Sequence, residues 1–422
     1  MKIGSTTNWL GILLAGAAPL CMAAPSFDTC LGDLRAQARQ AGIGPATISM
    51  AFASIHQRPD VIQTDRGGQS EFVSSFWDYL QRSISPTRLQ NGQALLEQHR
   101  PLLARIYEDY GVPPEYLVAF WGLETNFGNY FGDIPTLDAL ATLACDPRRS
   151  HMFSRQLIDA VAMIDEGRLD LADLRGSWAG AMGHTQFMPT TMRHYAVDYD
   201  HDGRIDLWHS LPDALASAAN YLSQMGWRSG ERWGEEVTVN DPTILSYAGY
   251  KERKPVSQWT QWGVRRVDAT PLPDRGDLVS LLAPGGVDGP VFVAYPNFRV
   301  IMRWNASVNY ALAVGLLADR LAGAPALHAQ APRVTRYLRA DGREIQQHLK
   351  TLGYAVERMD GVIGSQTRMA IRDFQRRSGL VVDGEPDEAL LQALRKATGQ
   401  ATGQASSEAA PNLATFESAD SP

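Results

Sequence analysis

The apolar residues of the chain follow helical spacing from Phe27 to about Leu321. The run from Leu211 to Met225 is an example, with a proline in its first turn and leucine and alanine residues on one face. Between Glu235 and Pro296 the pattern changes to short valine and leucine runs broken by glycine and proline. The pattern predicts a mainly α protein of the α+β class, with a small β subdomain within one large helical unit.

An alanine- and proline-rich segment at residues 322–333 follows this unit and predicts a linker. The linker is followed by a second, small domain, placed at residues 334–396. Residues 397–422 contain few large apolar side chains, so this tail is predicted to be disordered. The large domain is placed at residues 24–321.

Composition and charge exclude several classes of partner. The 422 residues are 44% hydrophobic and 20% charged, which is ordinary for a soluble globular protein. A formal net charge of -7 gives no long-range attraction to nucleic acid or anionic lipid, and basic residues are not clustered with aromatic ones. Nucleic acid is therefore not an expected partner.

The N-terminus resembles an export signal, predicted at residues 1–23. An apolar run from Trp9 to Leu20 precedes small residues, and cleavage is expected after Ala23. Lipid attachment at Cys21 is the less favoured alternative, because Pro19-Leu20 forms a poor approach to such a cysteine. No later segment approaches the ~20 apolar residues that span a bilayer. We expect an exported, periplasmic protein.

Cys30 and Cys145 are the two cysteines that remain after removal of the signal. An even number in an oxidising compartment predicts a disulfide. Two buried free thiols are the alternative, because cysteine is also a common core residue.

A carboxylic acid stands at the end of an otherwise apolar helix, in Trp121-Gly122-Leu123-Glu124-Thr125-Asn126-Phe127-Gly128. Proline at 113 and 114 suits the first turn, and the residues after Thr125 end the helix. The helix dipole and partial desolvation both disfavour the carboxylate, so the pKa of Glu124 is predicted to rise. A protonated acid at neutral pH can serve as a general acid. The alternative is an exposed helix-end glutamate.

The segment from Gly176 to Pro189 is punctuated by glycines that leave room for a bulky ligand near the backbone. Ser177 and Gln186 can hydrogen-bond sugar hydroxyls or amides. A tight structural turn is the alternative.

Three motifs resemble, in order and spacing, the membrane-bound lytic transglycosylase B family of peptidoglycan-cleaving enzymes. They are the Glu124 motif, the Gly-Ala-Met-Gly…Gln-Phe-Met-Pro loop and Arg303-Trp304-Asn305-Ala306-Ser307-Val308-Asn309-Tyr310-Ala311. The resemblance runs from about Phe27 to Arg320 and includes Phe76-Trp77-Asp78-Tyr79 and Asn220-Tyr221. It implies a lysozyme-like catalytic domain.

The resemblance also implies that Glu124 performs both proton transfers. It would protonate the glycosidic oxygen leaving muramic acid, and then take the proton from that sugar's C6 hydroxyl as it closes on C1. The product would be a 1,6-anhydro ring, with neither water nor a cofactor required. Most glycosidases use two carboxylates, and families assisted by the substrate itself are the exception.

Sugar-binding or transition-state roles are implied for Ser177, Gln186, Tyr221, Asn305 and Tyr310. Ser177 and Asn305 would position the N-acetyl group, whose carbonyl can stabilise the cationic C1. The chain departs from the family pattern at two places. Trp304 stands where the family often has tyrosine, and His184-Thr185 where it often has Tyr-Gly.

Arg148 and Arg149 fall where the resemblance places basic residues near the cleft. There they would pair with the carboxylate of the lactyl group or the stem peptide. Two solvated arginines are the alternative.

The run from Asp198 to His209 matches a calcium-binding loop through its ninth position. The expected oxygen ligands are Asp198, Asp200, Asp202, Arg204 through its carbonyl, and Asp206. Position twelve fails, because His209 replaces the bidentate carboxylate and Asp213 lies too far along. We expect a structural calcium ion, as in family members with a similar loop, with an acidic turn as the alternative.

Residues 340–395 resemble the small three-helix peptidoglycan-binding domain of bacterial wall enzymes, through motifs such as Asp360-Gly361-Val362-Ile363-Gly364 and Asp383-Gly384. A domain this small has little else to bury, so its apolar motif residues are expected in the core: Leu349, Leu352, Ile371, Phe374 and Leu380. A groove rim is expected at Asp360, Gly361, Gln366 and Thr367.

The predicted activity is that of a lytic murein transglycosylase cleaving the MurNAc–GlcNAc β-1,4 bond. A lysozyme-type hydrolase is the nearest rival, and it would need a held water or a second carboxylate such as Asp133 or Asp138. A non-catalytic wall-binding protein is a third possibility, against which the intact Glu124 motif argues. The expected partners are peptidoglycan and the cell-wall synthesis machinery.

Overall fold

The computed structural model describes residues 26–67, 75–331 and 339–399. The predicted export signal, with Cys21, lies outside these ranges, as do residues 400–422 of the predicted tail. Within the described ranges, no helix combines the length and apolarity that crossing a membrane requires.

The large unit is mainly helical, as predicted. The helices before the β subdomain are α1 (Phe27–Gln40), α2 (Pro45–Ala53), α3 (Pro59–Gly67), α4 (Phe76–Ser83), α5 (Pro86–Gln98), α6 (Arg100–Tyr110), α7 (Pro114–Thr125), α8 (Thr136–Ala144), α9 (Ser150–Asp165), α10 (Pro189–Tyr195) and α11 (Leu211–Gln224). A short antiparallel pair, β1 (Ile134–Pro135) and β2 (Arg175–Gly176), lies among them.

Helix α7 lies at the centre of the main core. Every residue from Tyr116 to Gly122 is buried, because the helix is apolar on all sides. It packs on α14 (Val308–Leu321), which follows α13 (Pro296–Trp304) near the end of the unit. The burial fixes the axis of α7 and leaves only its ends near the surface.

The helical spacing before Gly111 belongs to two helices, α5 and α6, rather than one. They are separated at His99, which precedes Pro101 in the first turn of α6. Proline has no N–H to continue the ladder to the carbonyl of Glu97, so a new helix begins here.

A second core lies under α1, α2, α8 and α9. The predicted disulfide is confirmed: Cys30 on α1 is bonded to Cys145 at the end of α8, with a Cα–Cα distance of 5.9 Å. The bond joins positions 115 residues apart and closes the N-terminal helices onto the rest of the unit.

The predicted β subdomain contains the strands β3 (Gly234–Val239), β4 (Lys254–Pro255), β5 (Val264–Arg266), β6 (Leu278–Leu282) and β7 (Val291–Ala294), with the short helix α12 (Val256–Gln261) between β4 and β5. The strands form a five-stranded antiparallel sheet with the order β4-β6-β7-β3-β5. Trp259 on α12 is fully buried against the sheet, and its indole N–H donates to the carbonyl of Val279.

The C-terminal module has the three predicted helices, α15 (Arg339–Thr351), α16 (Ser365–Ser378) and α17 (Glu388–Ala397). The apolar residues predicted for its core all belong to one cluster. Gln346 and Gln375 are buried, and their side-chain oxygens accept from the N–H groups of Gly361 and Gly384 respectively. Gln346 also donates to the buried Thr367, which therefore lies in the interior rather than at the predicted groove rim.

The module contacts the large unit directly. Asp383 Oδ2 accepts from the backbone N–H of Val287 in the β subdomain at 3.2 Å, and the Arg339 guanidinium donates to the carbonyl of Gly67. In the segment that connects the large unit to the module, the N–H groups of His328 and Ala329 donate to the carboxylate of Glu236. The module is thus held by side-chain contacts in addition to its covalent connection.

Candidate active site

Glu124 is the penultimate residue of α7 and is half-buried. The helix ends sharply, because Asn126, Phe127 and Gly128 all adopt positive φ angles of 49°, 62° and 78°. This reversal folds the Phe127 ring back over Gly122, where an added Cβ would lie only 2.7 Å from the ring. The two glycines of the motif therefore permit the turn that places Glu124 at the end of the buried helix.

Two donors from the α13–α14 corner meet one oxygen of Glu124. The indole N–H of Trp304 donates to Oε1 at 2.8 Å, and the Tyr310 hydroxyl donates to the same atom. Trp304 is the last residue of α13, and Tyr310 lies in the first turn of α14, which the Ser307 side chain caps. The corner thus brings two residues that are 180 and 186 positions away in sequence into contact with the carboxyl group of Glu124.

Three aromatic rings surround the Trp304 indole. The ring of Phe120 lies 4.4 Å from it, that of Phe187 5.3 Å, and that of Tyr221 5.4 Å at 90°. The Tyr221 hydroxyl donates to the carbonyl of Arg303 at 2.9 Å, which fixes its own position on α11 against α13. These contacts hold the indole in one orientation toward Glu124.

The glycine-punctuated loop is ordered by its own polar side chains. Ser177 Oγ accepts from the N–H groups of Ala179 and Ala181, at 3.3 and 3.1 Å. Gln186 adopts a φ of 50°, and its amide donates to the carbonyls of Phe131 and Gly183, both at 3.1 Å. Both predicted binding residues therefore shape the loop, whatever they contribute to a ligand.

His184 connects this loop to α7. Its Nδ1 accepts from the indole N–H of Trp121 at 2.9 Å, and its carbonyl accepts from the Thr125 hydroxyl at 2.9 Å. An indole N–H can only donate, so Nδ1 must be unprotonated. Burial lowers the pKa of His184 from 6.5 to about 4, and the nearby carboxylate of Asp206 acts in the opposite direction without outweighing burial.

Tyr310 contacts Glu124 directly and Tyr221 packs on the Trp304 ring, whereas the two predicted arginines pair with an acid on α3. The amide oxygen of Asn305 accepts from the N–H of Ser307 at 3.1 Å, next to the Trp304 side of the site. Arg148 and Arg149 both form ion pairs with the buried carboxylate of Asp65 on α3. These contacts are structural, so the predicted pairing with a substrate carboxylate stays a prediction without a contact that supports it.

The acidic loop after α10, from Asp198 to His209, contains the predicted calcium ligands. Asp198, Asp200 and Asp202 each offer a carboxylate oxygen, and these oxygens lie within 4.8 Å of one another. Asp198 Oδ1 is buried and accepts no hydrogen bond from any of the described residues, as expected for an atom that faces a cation. The three aspartates therefore fit a hard cation with oxygen ligands.

Asp206 is the predicted ninth ligand of the loop, but its carboxylate accepts hydrogen bonds within the following turn. Its oxygens accept from the backbone N–H groups of Trp208 and His209, and from the His209 ring. Asp213, which the loop pattern excluded as a ligand, is fully buried, and its oxygens accept from the N–H groups of Tyr199 and Asp206. Asp213 thus organises the loop from within.

Sequence reasoning missed three contributors to the site: the N–H donor of Trp304, the Trp121–His184 bond and Asp213. Trp304 and His184 were singled out only as departures from a family pattern. The two departures were the available signal, because both replace a tyrosine with a residue whose ring nitrogen now makes a hydrogen bond.

We expect the stability of the protein to fall as pH decreases from about 6.5 toward 4, because the unfolded chain then binds a proton that His184 in the folded protein does not. The contribution of this one group is at most about 1.4 kcal/mol per pH unit. His184→Gln should therefore flatten the pH dependence of urea unfolding in this window relative to the unchanged protein. Equal slopes for the two proteins would contradict the burial of a neutral imidazole.

Two family models match the chain. The transglycosylase SLT domain matches residues 26–319, and the peptidoglycan binding domain matches residues 339–394. The membrane-bound lytic murein transglycosylase B of Escherichia coli (strain K12) is 36% identical over 245 residues, which is 58% of this chain. That match spans 66% of the relative's own length, just under two thirds.

Solved structures resemble the chain over a larger part. SltB3 from Pseudomonas aeruginosa in complex with NAG-NAM-pentapeptide has a TM-score of 0.82 and 42% identity, covering 88% of this chain and 100% of that one. The Escherichia coli lytic transglycosylase Slt35 in complex with calcium has a TM-score of 0.61 and 32% identity, covering 69% and 92%. The chain belongs to the transglycosylase SLT domain family and carries a C-terminal peptidoglycan binding domain.

Proposed function

We propose that the protein is a lytic murein transglycosylase that cleaves the MurNAc–GlcNAc β-1,4 bond of peptidoglycan and leaves a 1,6-anhydro-MurNAc end. The observation that carries the proposal is the half-buried Glu124 carboxyl, held at the end of α7 by Trp304 and Tyr310. Membership of the family and the likeness to SltB3, which was solved with a peptidoglycan fragment, support the choice of substrate.

In the proposed reaction the Glu124 proton moves to the glycosidic oxygen as the bond from C1 to that oxygen breaks. Glu124, now a carboxylate, then takes the proton of the C6 hydroxyl of the same sugar while O6 bonds to C1. The carboxyl group returns to its starting state, and no water or cofactor enters. A group held in place through both steps gains the advantage of proximity twice.

The nearest rival, hydrolysis of the lysozyme type, requires a second carboxylate or a held water. Asp138, one of the two acids near Glu124 in sequence, is buried, and its Oδ1 accepts from the backbone N–H of His56 at 2.9 Å. Asp138 therefore serves the packing of α8 on the segment after α2. This contact argues against Asp138 as the second carboxylate.

Glu124→Gln should abolish cleavage of purified sacculi while leaving the fold and wall binding intact, because the amide neither donates the proton nor accepts it back. General acid–base help is typically worth about 10²–10⁴-fold, and we expect a loss at the upper end since one group serves both steps. Glu115→Gln, at the other end of the same helix, is the matched control and should retain activity.

Mass spectrometry of the released muropeptides decides between the two activities. The transglycosylase product is lighter by one water and has no reducing muramic end. A hydrolase product contains the added water and ends in a reducing muramic acid. Reducing ends in the product, or near-normal turnover by Glu124→Gln, would refute the proposal. Absence of any cleavage by the unchanged protein would favour the third alternative, a wall-binding protein.

We also propose that Ser177, Gln186, Tyr221 and Asn305 contact the sugars, and that Tyr310 acts on the transition state through Glu124. Support comes from their positions around the Glu124 end of α7, on the loop that His184 joins to the helix and on the α13–α14 corner. Asn305 and Ser177 are assigned to the N-acetyl group, as the family resemblance implies.

A structural calcium ion is proposed at Asp198, Asp200 and Asp202, with the Arg204 carbonyl as a further ligand. The ion would reduce the repulsion among the three carboxylates and stabilise the loop that leads into α11. It would have no role in the proton transfers. The calcium complex of the related Slt35 and the orphaned Asp198 oxygen support this assignment. Asp206, whose carboxylate is used within the following turn, is the weaker ligand of the set.

Added Ca²⁺ should raise the Tm, because an ion that binds only the folded protein at 100 times its Kd stabilises by about 2.7 kcal/mol. Asp202→Asn removes a charge but keeps an oxygen for the Arg204 N–H, so the response to Ca²⁺ should be lost while the fold is kept. Asp241→Asn, at a similar turn outside the cluster, is the control and should respond normally. An equal Ca²⁺ response in all three proteins would exclude this site.

For localisation we propose export to the periplasm by the N-terminal signal, with lipid attachment at Cys21 as the less favoured alternative. The Cys30–Cys145 disulfide supports an oxidising compartment. Association with the cell-wall synthesis machinery is proposed as a further partnership, which the predicted compartment allows.

Removal of residues 334–422 should weaken binding to sacculi and cleavage of insoluble wall, because the module raises the effective concentration of the substrate. Turnover of short soluble muropeptides should hardly change. The contacts of Asp383 and Arg339 with the large unit will be lost, so Tm should be recorded alongside activity. Loss of soluble turnover at unchanged Tm would show that the module contributes to the active site.

A further inference from the structure

Trp304 is the side chain whose role the proposed reaction does not yet explain. It is half-buried at the C-terminal end of α13, where its indole ring is enclosed by aromatic neighbours rather than aligned along an open surface. The indole has a single polar atom, and that atom donates to Glu124 Oε1 at 2.8 Å. An indole N–H cannot accept a hydrogen bond, so the direction of this bond is fixed.

Oε1 accepts two donors, Trp304 and Tyr310, from one corner of the fold. Two donors that converge on the same oxygen determine the rotation of the carboxyl plane, because turning the plane would break both bonds at once. They also favour lone pairs over a proton at Oε1. A proton on Glu124 is therefore disfavoured at Oε1.

We propose that Trp304 is a positioning residue that, together with Tyr310, reserves Oε1 as an acceptor and assigns the transferred proton to Oε2. The inference rests on the proposed function. In the first step the Oε2–H bond breaks and the proton moves to the leaving glycosidic oxygen. In the second step Oε2 recovers a proton from the C6 hydroxyl, while Oε1 keeps both hydrogen bonds throughout.

The packing around Trp304 supports positioning rather than sugar stacking. Phe120 and Phe187 lie against the indole, and Tyr221 meets it edge to face. Phe120 belongs to the fully buried part of α7, so the indole is braced on the same helix that carries Glu124. The helix that carries the acceptor thus also supports the ring of the donor.

The sharpest test replaces only the N–H. Incorporation of 3-benzothienylalanine at position 304 keeps the shape of the ring and substitutes sulfur for the donor. We expect kcat to fall by about 10- to 100-fold with little change in KM, as for loss of a hydrogen bond to a charged group. Trp304→Phe should behave similarly, and Trp304→Tyr, which restores a donor, should recover part of kcat.

Trp227 is the matched control for the isosteric replacement. Its indole N–H is buried and has no hydrogen-bond partner among the described residues, so the same substitution there removes no bond and should leave kcat unchanged. A normal kcat for the isostere at position 304 would overturn the proposal. A raised KM with normal kcat would overturn it as well, because Trp304 would then bind substrate.

The hydrogen bond can also be tested without turnover. In ¹⁵N spectra of the whole protein, the Trp304 indole N–H signal, identified by its loss in Trp304→Phe, should shift in Glu124→Gln while the Trp227 signal does not. An unchanged chemical shift of the Trp304 signal in Glu124→Gln would refute the hydrogen bond. Failure of the unchanged protein to form anhydro products would instead refute the proposed function, whatever the spectra show.

Discussion

The burial of the middle of helix α7 is the constraint on which the rest of the molecule depends. A helix that is apolar on all sides must be surrounded by other elements, so α14, α11 and the neighbouring helices pack around it. Only the ends of the helix lie near the surface, and Glu124 is at the C-terminal end. The position of the one carboxyl group that the proposed reaction needs is thus set by the hydrophobic core rather than by a surface loop.

The same core supplies the groups that orient this carboxyl. The α13–α14 corner packs against α7 through Phe120, and it delivers Trp304 and Tyr310 to Oε1. On the other side, His184 ties the glycine loop to Trp121 and Thr125 of the same helix. Each wall of the site therefore bonds directly to α7, and the catalytic geometry is established before substrate arrives.

Polar contacts join the two parts of the chain. Asp383 bonds the backbone of the β subdomain, and Glu236 holds the segment that leads to the module. Within the module, Gln375 and Asp383 bond each other, so the turn that touches the β subdomain is itself supported from the module's interior. Under the proposed function, these contacts keep the module beside the unit that carries Glu124.

The amino-acid sequence alone determined the features that rest on local pattern. Helical spacing, prolines at helix starts and an apolar run ending at Glu124 are properties of neighbouring residues, and they predicted the helical class, the β subdomain and the end of α7. The three helices of the C-terminal module were implied by its resemblance to a known domain. Cysteine count predicted the disulfide. The order of the motifs along the chain predicted the family.

Tertiary structure decided which side chains meet. Trp304 lies 180 residues from Glu124, and Arg149 lies 84 residues from Asp65, so neither bond has a signature in local sequence. The same limit applies to Asp206, whose carboxylate accepts from the backbone of the turn that follows it. It also applies to Thr367, which lies in the interior of the module. A side chain's partner depends on how separate elements pack, and packing is a property of the whole chain rather than of any segment.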